Sequence, residues 1–184
     1  MSDARRESLT RRNLRLSNRD GGWYSIMWSV GESNIAVFSV ALGFAPAIVG
    51  LLDTLPRLCG SLLQTVTPRG VAALGSHQRW MVRTAVVQAL TFVPLLIGAL
   101  LGGLPLWLLF AVTALYWASA WSCGNAWTTF ISTVVPRRVR PAYFGQRNRW
   151  LNVIIVGGTL AGGWILERGR LAGHQLETLA ILFA

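Results

Sequence analysis

Long apolar runs alternate with short polar stretches along the chain. Most of the runs hold about 20 residues, the length that a helix needs to cross the hydrocarbon core of a bilayer. Apolar residues are contiguous within them, whereas the β-strands of membrane barrels alternate apolar with polar positions. The pattern predicts an all-α polytopic membrane protein with five spans and an incomplete sixth helix, near residues 23–44, 46–66, 82–103, 105–134, 149–166 and 175–184.

The composition agrees with a membrane protein. Hydrophobic residues make up 53% of the chain and charged residues 13%, whereas about a quarter of an average soluble domain is charged. The net charge of +10 would fit a nucleic-acid binder, but the basic residues, all arginine, are clustered between the apolar runs. We therefore expect membrane lipids rather than nucleic acid as the partner of these arginines.

The distribution of arginine predicts the orientation of the chain. The arginines are concentrated in the tail over residues 1–21, in the segment between the second and third runs, and in the segment between the fourth and fifth. The turns around residues 43–46 and 102–105 contain none. An excess of arginine in short loops marks the cytoplasmic face. Residues 1–21 are therefore predicted to be a cytoplasmic tail, followed by one transmembrane domain over residues 22–184.

An export signal, a disulfide and a metal site are less consistent with the pattern. The stretch from Thr10 to Arg15 loosely resembles a twin-arginine export signal. The next apolar run is too long for a signal core, however, and no cleavage site is evident before the following run. Cys59 and Cys123 lie inside apolar runs and are expected to behave as small apolar residues. We expect no metal site and no cofactor, because His77 and His174 are isolated in loops.

Small and polar residues recur every three or four positions within each apolar run. In lipid, helices associate through such residues, so the stripes predict the faces that pack against other helices. The segment from Gly158 to Gly162 has the spacing of a small-residue packing site. Asn125 and Asn152 belong to the stripes of the fourth and fifth runs. Packing is the simplest interpretation of most stripe residues.

Three ionisable residues lie near the middle of the first two runs: Glu32, Asp53 and Arg57. A charge at that depth costs several kcal/mol unless it is paired or hydrated. One interpretation is a structural ion pair within the membrane, either Asp53 with Arg57 or Glu32 with Arg57. The other places Glu32 in a hydrated cavity with Asn125 and Asn152, where it would bind a solute or a coupling proton.

The segment between the fourth and fifth runs resembles a known family. The sequence from Val135 to Arg149, VPRRVRPAYFGQRNR, is similar to the loop between helices 4 and 5 in some bacterial members of the major facilitator superfamily. It differs from that pattern at Arg137 and Pro141, where Glu and Gly are usual. The matching positions that we take as motif residues are Arg138, Arg140, Phe144, Gly145 and Arg147.

Two further segments bear on this resemblance. The stretch from Gly50 to Pro56 is similar to the start of helix 2 in the same proteins. The superfamily signature between helices 2 and 3 is represented only by Gly75 and Arg79. Ala72 and Ala73 occupy the positions where that signature has Asp and Arg.

The resemblance implies the N-terminal six-helix half of a secondary active transporter in a bacterial inner membrane. Such a protein moves a small solute by alternating access and is not an enzyme. Its site lies between two six-helix halves, so the missing C-terminal half would be its partner. A non-transporting membrane scaffold or assembly protein is the alternative. A membrane enzyme is disfavoured, since the chain has no paired His or Asp cluster with catalytic spacing.

The arginine asymmetry makes a prediction about topology. A reporter enzyme fused after Gly103 should be active outside the cytoplasm, and one fused after Arg140 should be active inside it. Activity assays on the two fusions, normalised to their expression, measure this directly. The opposite result at both positions would reverse the predicted orientation.

Overall fold

The chain is helical along nearly all of the residues that the structure describes. The computed structural model describes residues 3–135 and 138–184, with side chains from residue 12 onward except that of residue 134. Within these ranges no strand is formed. In chain order the helices are α1 (Asp3–Ile26), a π-helical turn (Met27–Gly31), a 3-10 turn (Glu32–Asn34), α2 (Ile35–Ala41), α3 (Pro46–Leu63), a 3-10 turn (Gln64–Val66), α4 (Thr67–Leu74), α5 (His77–Leu90), α6 (Phe92–Leu101), α7 (Leu106–Val134), α8 (Arg140–Leu171) and α9 (Gln175–Phe183).

Several of these helices continue one another as longer rods. Among the described residues, four rods are long and apolar enough to cross a membrane: Pro46–Leu74, His77–Leu101, Leu106–Thr133 and Arg140–Leu171. They confirm the predicted all-α fold and are typical of a membrane protein. The first predicted span is not among them, because its apolar residues are divided between the end of α1, two irregular turns and the short helix α2.

Helix α7 lies at the centre of the bundle, where α3 and α5 pack along it. Its contact with α3 is close because Gly60 faces the backbone of Trp117; a Cβ atom on Gly60 would lie 2.9 Å from the Trp117 carbonyl carbon. Its contact with α4 and α5 is polar. The Ser122 hydroxyl is 2.6 Å from the Thr67 hydroxyl and accepts a hydrogen bond of 3.1 Å from Trp80 Nε1. Small residues and hydroxyls thus hold the helices together, as is usual in lipid.

Helix α8 packs against the first rod, which comprises α1, the two turns and α2. The packing uses the small-residue site that the sequence predicts. A Cβ atom on Gly158 would lie 2.9 Å from the Ser29 Cβ, and one on Gly162 would lie 3.7 Å from Asn34 Nδ2. The absence of a side chain on Gly158 therefore lets the two rods approach closely, whereas a Cβ atom on Gly162 would make only ordinary van der Waals contact.

The short helix α9 joins the two sides of the bundle by an aromatic cluster. The Phe183 ring contacts Phe38 of α2 edge-on at 5.5 Å between centroids and lies 6.0 Å from Phe92 of α6. Phe92 in turn contacts Tyr116 of α7 edge-on at 5.6 Å. These four rings are buried and form the centre of the apolar core. The sixth apolar segment is thus part of the core.

The helix ends differ from the predicted ones mainly at the arginine-rich segments. Residues 3–21, predicted as a tail, belong to α1, and α8 begins at Arg140 rather than near residue 149. Pro141 occupies the first turn of α8, where a proline has no helical hydrogen bond to lose. Hydropathy reports where a helix is apolar, and these helices extend beyond their apolar parts.

The approach of α3 to α7 predicts that Gly60→Ala is destabilising. The added methyl group would collide with the α7 backbone, and overpacking of this kind typically costs about 1–3 kcal/mol. Gly50→Ala is the matched control, because Gly50 lies in the same helix and a Cβ atom there meets nothing within 4 Å. Thermal unfolding in detergent should show a lower Tm for Gly60→Ala alone. Equal Tm values for both variants would contradict the close packing.

Candidate functional site

The candidate site lies where the first rod is interrupted. The break consists of the π-helical turn Met27–Gly31 and the 3-10 turn Glu32–Asn34. Backbone carbonyl groups at the break accept hydrogen bonds from nearby side chains: Ser33 Oγ donates to the Ser29 carbonyl at 2.6 Å, and Asn34 Nδ2 donates to the Val30 carbonyl at 2.6 Å. The polar residues of this stretch therefore make an irregular backbone tolerable within an apolar bundle.

Glu32 is the first residue of the 3-10 turn and is buried, with an exposed fraction of 9%. Its Oε2 atom accepts a hydrogen bond from the hydroxyl group of Tyr116, in the middle of α7. Phe92 packs against both Gly31, the residue before Glu32, and Tyr116. The Phe92 ring occupies the space where Gly31 lacks a side chain, and the same ring contacts Tyr116 edge-on. The carboxylate is thus held between the interrupted rod and the central helix.

Asp53 and Arg57 form an ion pair one helical turn apart on α3. The distance from Arg57 Nη2 to Asp53 Oδ1 is 2.7 Å, and both side chains are about half exposed. The Arg57 guanidinium also lies over the Trp117 ring, 4.4 Å from its centroid. Of the two ion pairs left open by the sequence, the structure therefore forms Asp53 with Arg57, while Glu32 is bound by Tyr116.

Asn125 and Asn152 do not join Glu32. Asn125 lies nine residues beyond Tyr116 on α7, which is about 13 Å along a helix. Its side-chain amide donates a hydrogen bond of 2.7 Å to Oε1 of Gln64, the residue that follows α3. Asn152 is exposed on α8. Among the described residues, neither asparagine makes a side-chain hydrogen bond to Glu32, whose carboxylate partner is Tyr116.

The loop 2–3 motif residues have local structural roles. Gly75 ends α4 in the left-handed conformation, with φ of 61°, which glycine adopts without strain. Arg79 is exposed in the first turn of α5, and its backbone N–H donates to Ser76 Oγ at the helix start.

The loop 4–5 motif residues lie at the junction between α7 and α8. Pro136 and Arg137, which belong to the same sequence segment, are outside the described residues. Arg140 donates hydrogen bonds to the carbonyl groups of Val135 and Ser132 at the end of α7. It therefore caps a helix end whose carbonyls have no helical partner. Phe144 packs edge-on against Trp127 at 6.1 Å. Arg138 and Gly145 are exposed.

Arg147 connects three helices at the same end of the bundle. Its guanidinium lies over the Trp127 ring of α7, 4.4 Å from the centroid, and occupies the space beside Gly21 of α1. The side chain is partly buried, and its Nε atom has no hydrogen-bond partner among the described residues. Arg140 and Arg147 together fix the relative positions of α1, α7 and α8.

Sequence reasoning missed Tyr116, the partner of Glu32. The two residues are 84 positions apart, so no local spacing connects them. A signal was present, since Tyr116 is the only tyrosine in the run over residues 105–134, and a buried tyrosine hydroxyl usually has a hydrogen-bond partner. Tyr116 lies outside the stripe of small and polar residues that predicts the packing face of that run.

No group of three or more His, Cys, Asp or Glu side chains in the described part of the chain is placed to hold a metal ion. No protein-family model, curated protein or solved structure matches the chain.

The contact between Glu32 and Tyr116 predicts that Tyr116→Phe lowers stability. The change keeps the ring in the aromatic cluster but leaves a buried carboxylate without its donor, which costs about 1–3 kcal/mol. Tyr143→Phe is the matched control, because the Tyr143 hydroxyl has no hydrogen-bond partner within the described residues. The measurement is thermal unfolding in detergent. Equal Tm values for the two variants would exclude a stabilising role for the Tyr116 hydroxyl.

Proposed function

We propose that the chain forms the N-terminal six-helix half of a secondary active transporter that resembles the major facilitator superfamily. It would lie in a bacterial inner membrane with its N-terminus in the cytoplasm and move a small solute by alternating access. The observation that carries the proposal is the buried carboxylate of Glu32 at an interruption of the first helical rod.

Interrupted helices are a recurrent feature of transport sites. In many secondary transporters the substrate and coupling ion bind near the middle of the bilayer, at helices that are unwound there. π-Helical turns are also frequent at functional sites. Glu32 follows such a turn directly, about ten residues from the arginine-rich end of the apolar run, or roughly 15 Å along a helix. An ionisable group at that depth is expected to have a function.

The strength of the hydrogen bond from Tyr116 depends on whether Glu32 is charged or neutral. A hydrogen bond to a charged carboxylate is roughly twice as strong as one between neutral groups. When Glu32 binds a proton, its contact with Tyr116 therefore weakens, and the central helix is held less firmly to the break. A proton or a cationic solute arriving at Glu32 would in this way favour one arrangement of the first rod against α7.

The arginine-rich end supplies a rigid support for such a movement. Arg140 holds the end of α7, and Arg147 stacks on Trp127 of the same helix. These contacts would make α7 and the start of α8 move together at the cytoplasmic gate. The second six-helix half would close the other side of the cavity.

Access to the break from the two sides of the membrane tests the proposal. In the complete transporter, expressed with its second six-helix half, a single cysteine replaces Ser33, an exposed position next to Glu32, after all other cysteines, including Cys59 and Cys123, have been replaced. Alternating access predicts that a membrane-impermeant thiol reagent modifies it in both right-side-out and inside-out vesicles. The control is Leu160→Cys on α8, an exposed apolar position that should be protected by lipid on both sides.

The same assay distinguishes a transporter from a scaffold. Glu32→Gln keeps the size of the side chain but holds it in a neutral state, so modification at position 33 should become strongly biased to one side of the membrane. Glu167→Gln, at an exposed acid paired with Arg170, should leave the two-sided pattern unchanged. Modification from one side only in the otherwise unchanged complete transporter, or from neither side, would contradict alternating access and favour the scaffold.

A further inference from the structure

A groove lies between α1 and α8 at the arginine-rich end of the bundle. It has a volume of about 350 Å³, within the usual range for small-molecule sites. Its polar lining consists of Asn18 and Arg19 from α1 and Arg147 from α8. Its apolar lining consists of Gly22, Trp150, Leu151 and Ile154. The polar and apolar parts are separated along the helices, because each helix passes from polar into apolar sequence at this level.

The groove lies at the boundary between polar and apolar sequence on both helices. On α1, Arg19 is followed one turn later by Trp23, the first residue of an apolar run. On α8, Arg147 is followed by Trp150, which lines the groove and is 62% exposed. Tryptophan is enriched at the level of lipid headgroups. The polar part of the groove is therefore at headgroup depth, and its apolar part faces the hydrocarbon.

The polar part can bind an anion. Arg19 is exposed, and Arg147, the other basic residue of the lining, is partly buried. Asp20 is close enough to interact electrostatically with Arg147, but it does not line the groove, and two arginines outweigh it. Guanidinium groups bind phosphate oxygens by paired hydrogen bonds.

The apolar part distinguishes a lipid from a free anion. Gly22 leaves the floor of the groove open, since a Cβ atom there would reach only ordinary contact with Ile154 Cδ1 at 3.6 Å. Leu151 and Ile154 offer aliphatic surface directly below the arginines. An inorganic phosphate would leave this surface unused, whereas an acyl chain attached to the phosphate would cover it.

We propose that this groove binds an anionic phospholipid, with the phosphate at Arg19 and Arg147 and the start of an acyl chain over Gly22, Leu151 and Ile154. Basic pockets between membrane helices bind anionic headgroups in this way. The site is separate from Glu32 and does not depend on transport. Bound lipid would link α1 to α8 beside the contact between Arg147 and Trp127.

The test is lipid binding to the purified full chain in a non-ionic detergent, measured by native mass spectrometry. The probes are phosphatidylglycerol, phosphatidylcholine with the same acyl chains, and inorganic phosphate. Phosphatidylglycerol should bind with the lowest Kd. Arg19→Gln should weaken its binding about fivefold, the effect of one basic residue at an anionic headgroup. Gly22→Leu should weaken lipid binding by filling the apolar part.

The control is Arg149→Gln, which removes the same charge from an exposed position on α8 that does not line the groove; its Kd for phosphatidylglycerol should be unchanged. Equal losses in Arg19→Gln and Arg149→Gln would reduce the effect to general electrostatic attraction and overturn the proposal. Equal Kd values for the two lipids would also overturn it. Displacement of the lipid by equimolar inorganic phosphate would identify a free anion as the ligand instead.

Discussion

The hydrogen bond from Tyr116 to Glu32 joins the irregular turns of the first rod to the central helix α7. A buried carboxylate must have a partner, because its desolvation is otherwise too costly. Tyr116 can provide that partner only while its ring stays in the aromatic cluster with Phe92, which also contacts Phe183 of α9. The position of the first rod therefore depends on contacts made by α6, α7 and α9. The hydrogen bond that the Glu32 carboxylate needs is thus provided by a tyrosine whose position depends on the packing of the apolar core.

The bundle is assembled mainly by close contact between helices. The hydrophobic effect gives little reason for two apolar helices to associate in lipid, so association relies on packing and on interhelical hydrogen bonds. Gly60 against Trp117 and Gly158 against Ser29 supply the packing, and Ser122 supplies hydrogen bonds to two neighbouring helices. The large exposed apolar side chains, such as Leu160 and Ile181, agree with a surface that faces lipid.

The arginines serve several physical purposes. Arg57 is paired with Asp53 and stacked on Trp117, Arg140 caps the end of α7, and Arg147 is stacked on Trp127. Arginine suits these positions because its planar guanidinium can stack on an aromatic ring and donate hydrogen bonds at its edges at the same time. The high positive charge of the chain is thus partly a structural feature of the bundle, in addition to its expected effect on orientation.

The sequence by itself determined the helical class, the approximate centres of the apolar helices and the glycine site at Gly158 and Gly162, because these follow from the period and length of local patterns. It also singled out Glu32 and the pair of Asp53 and Arg57, since charges are conspicuous in apolar runs. Only the tertiary structure decided that Glu32 meets Tyr116, that Arg57 is paired with Asp53, and that Asn125 is bound to Gln64. Those choices depend on which faces of distant helices meet, and the rotation of each helix in the bundle is set by contacts that no single segment contains.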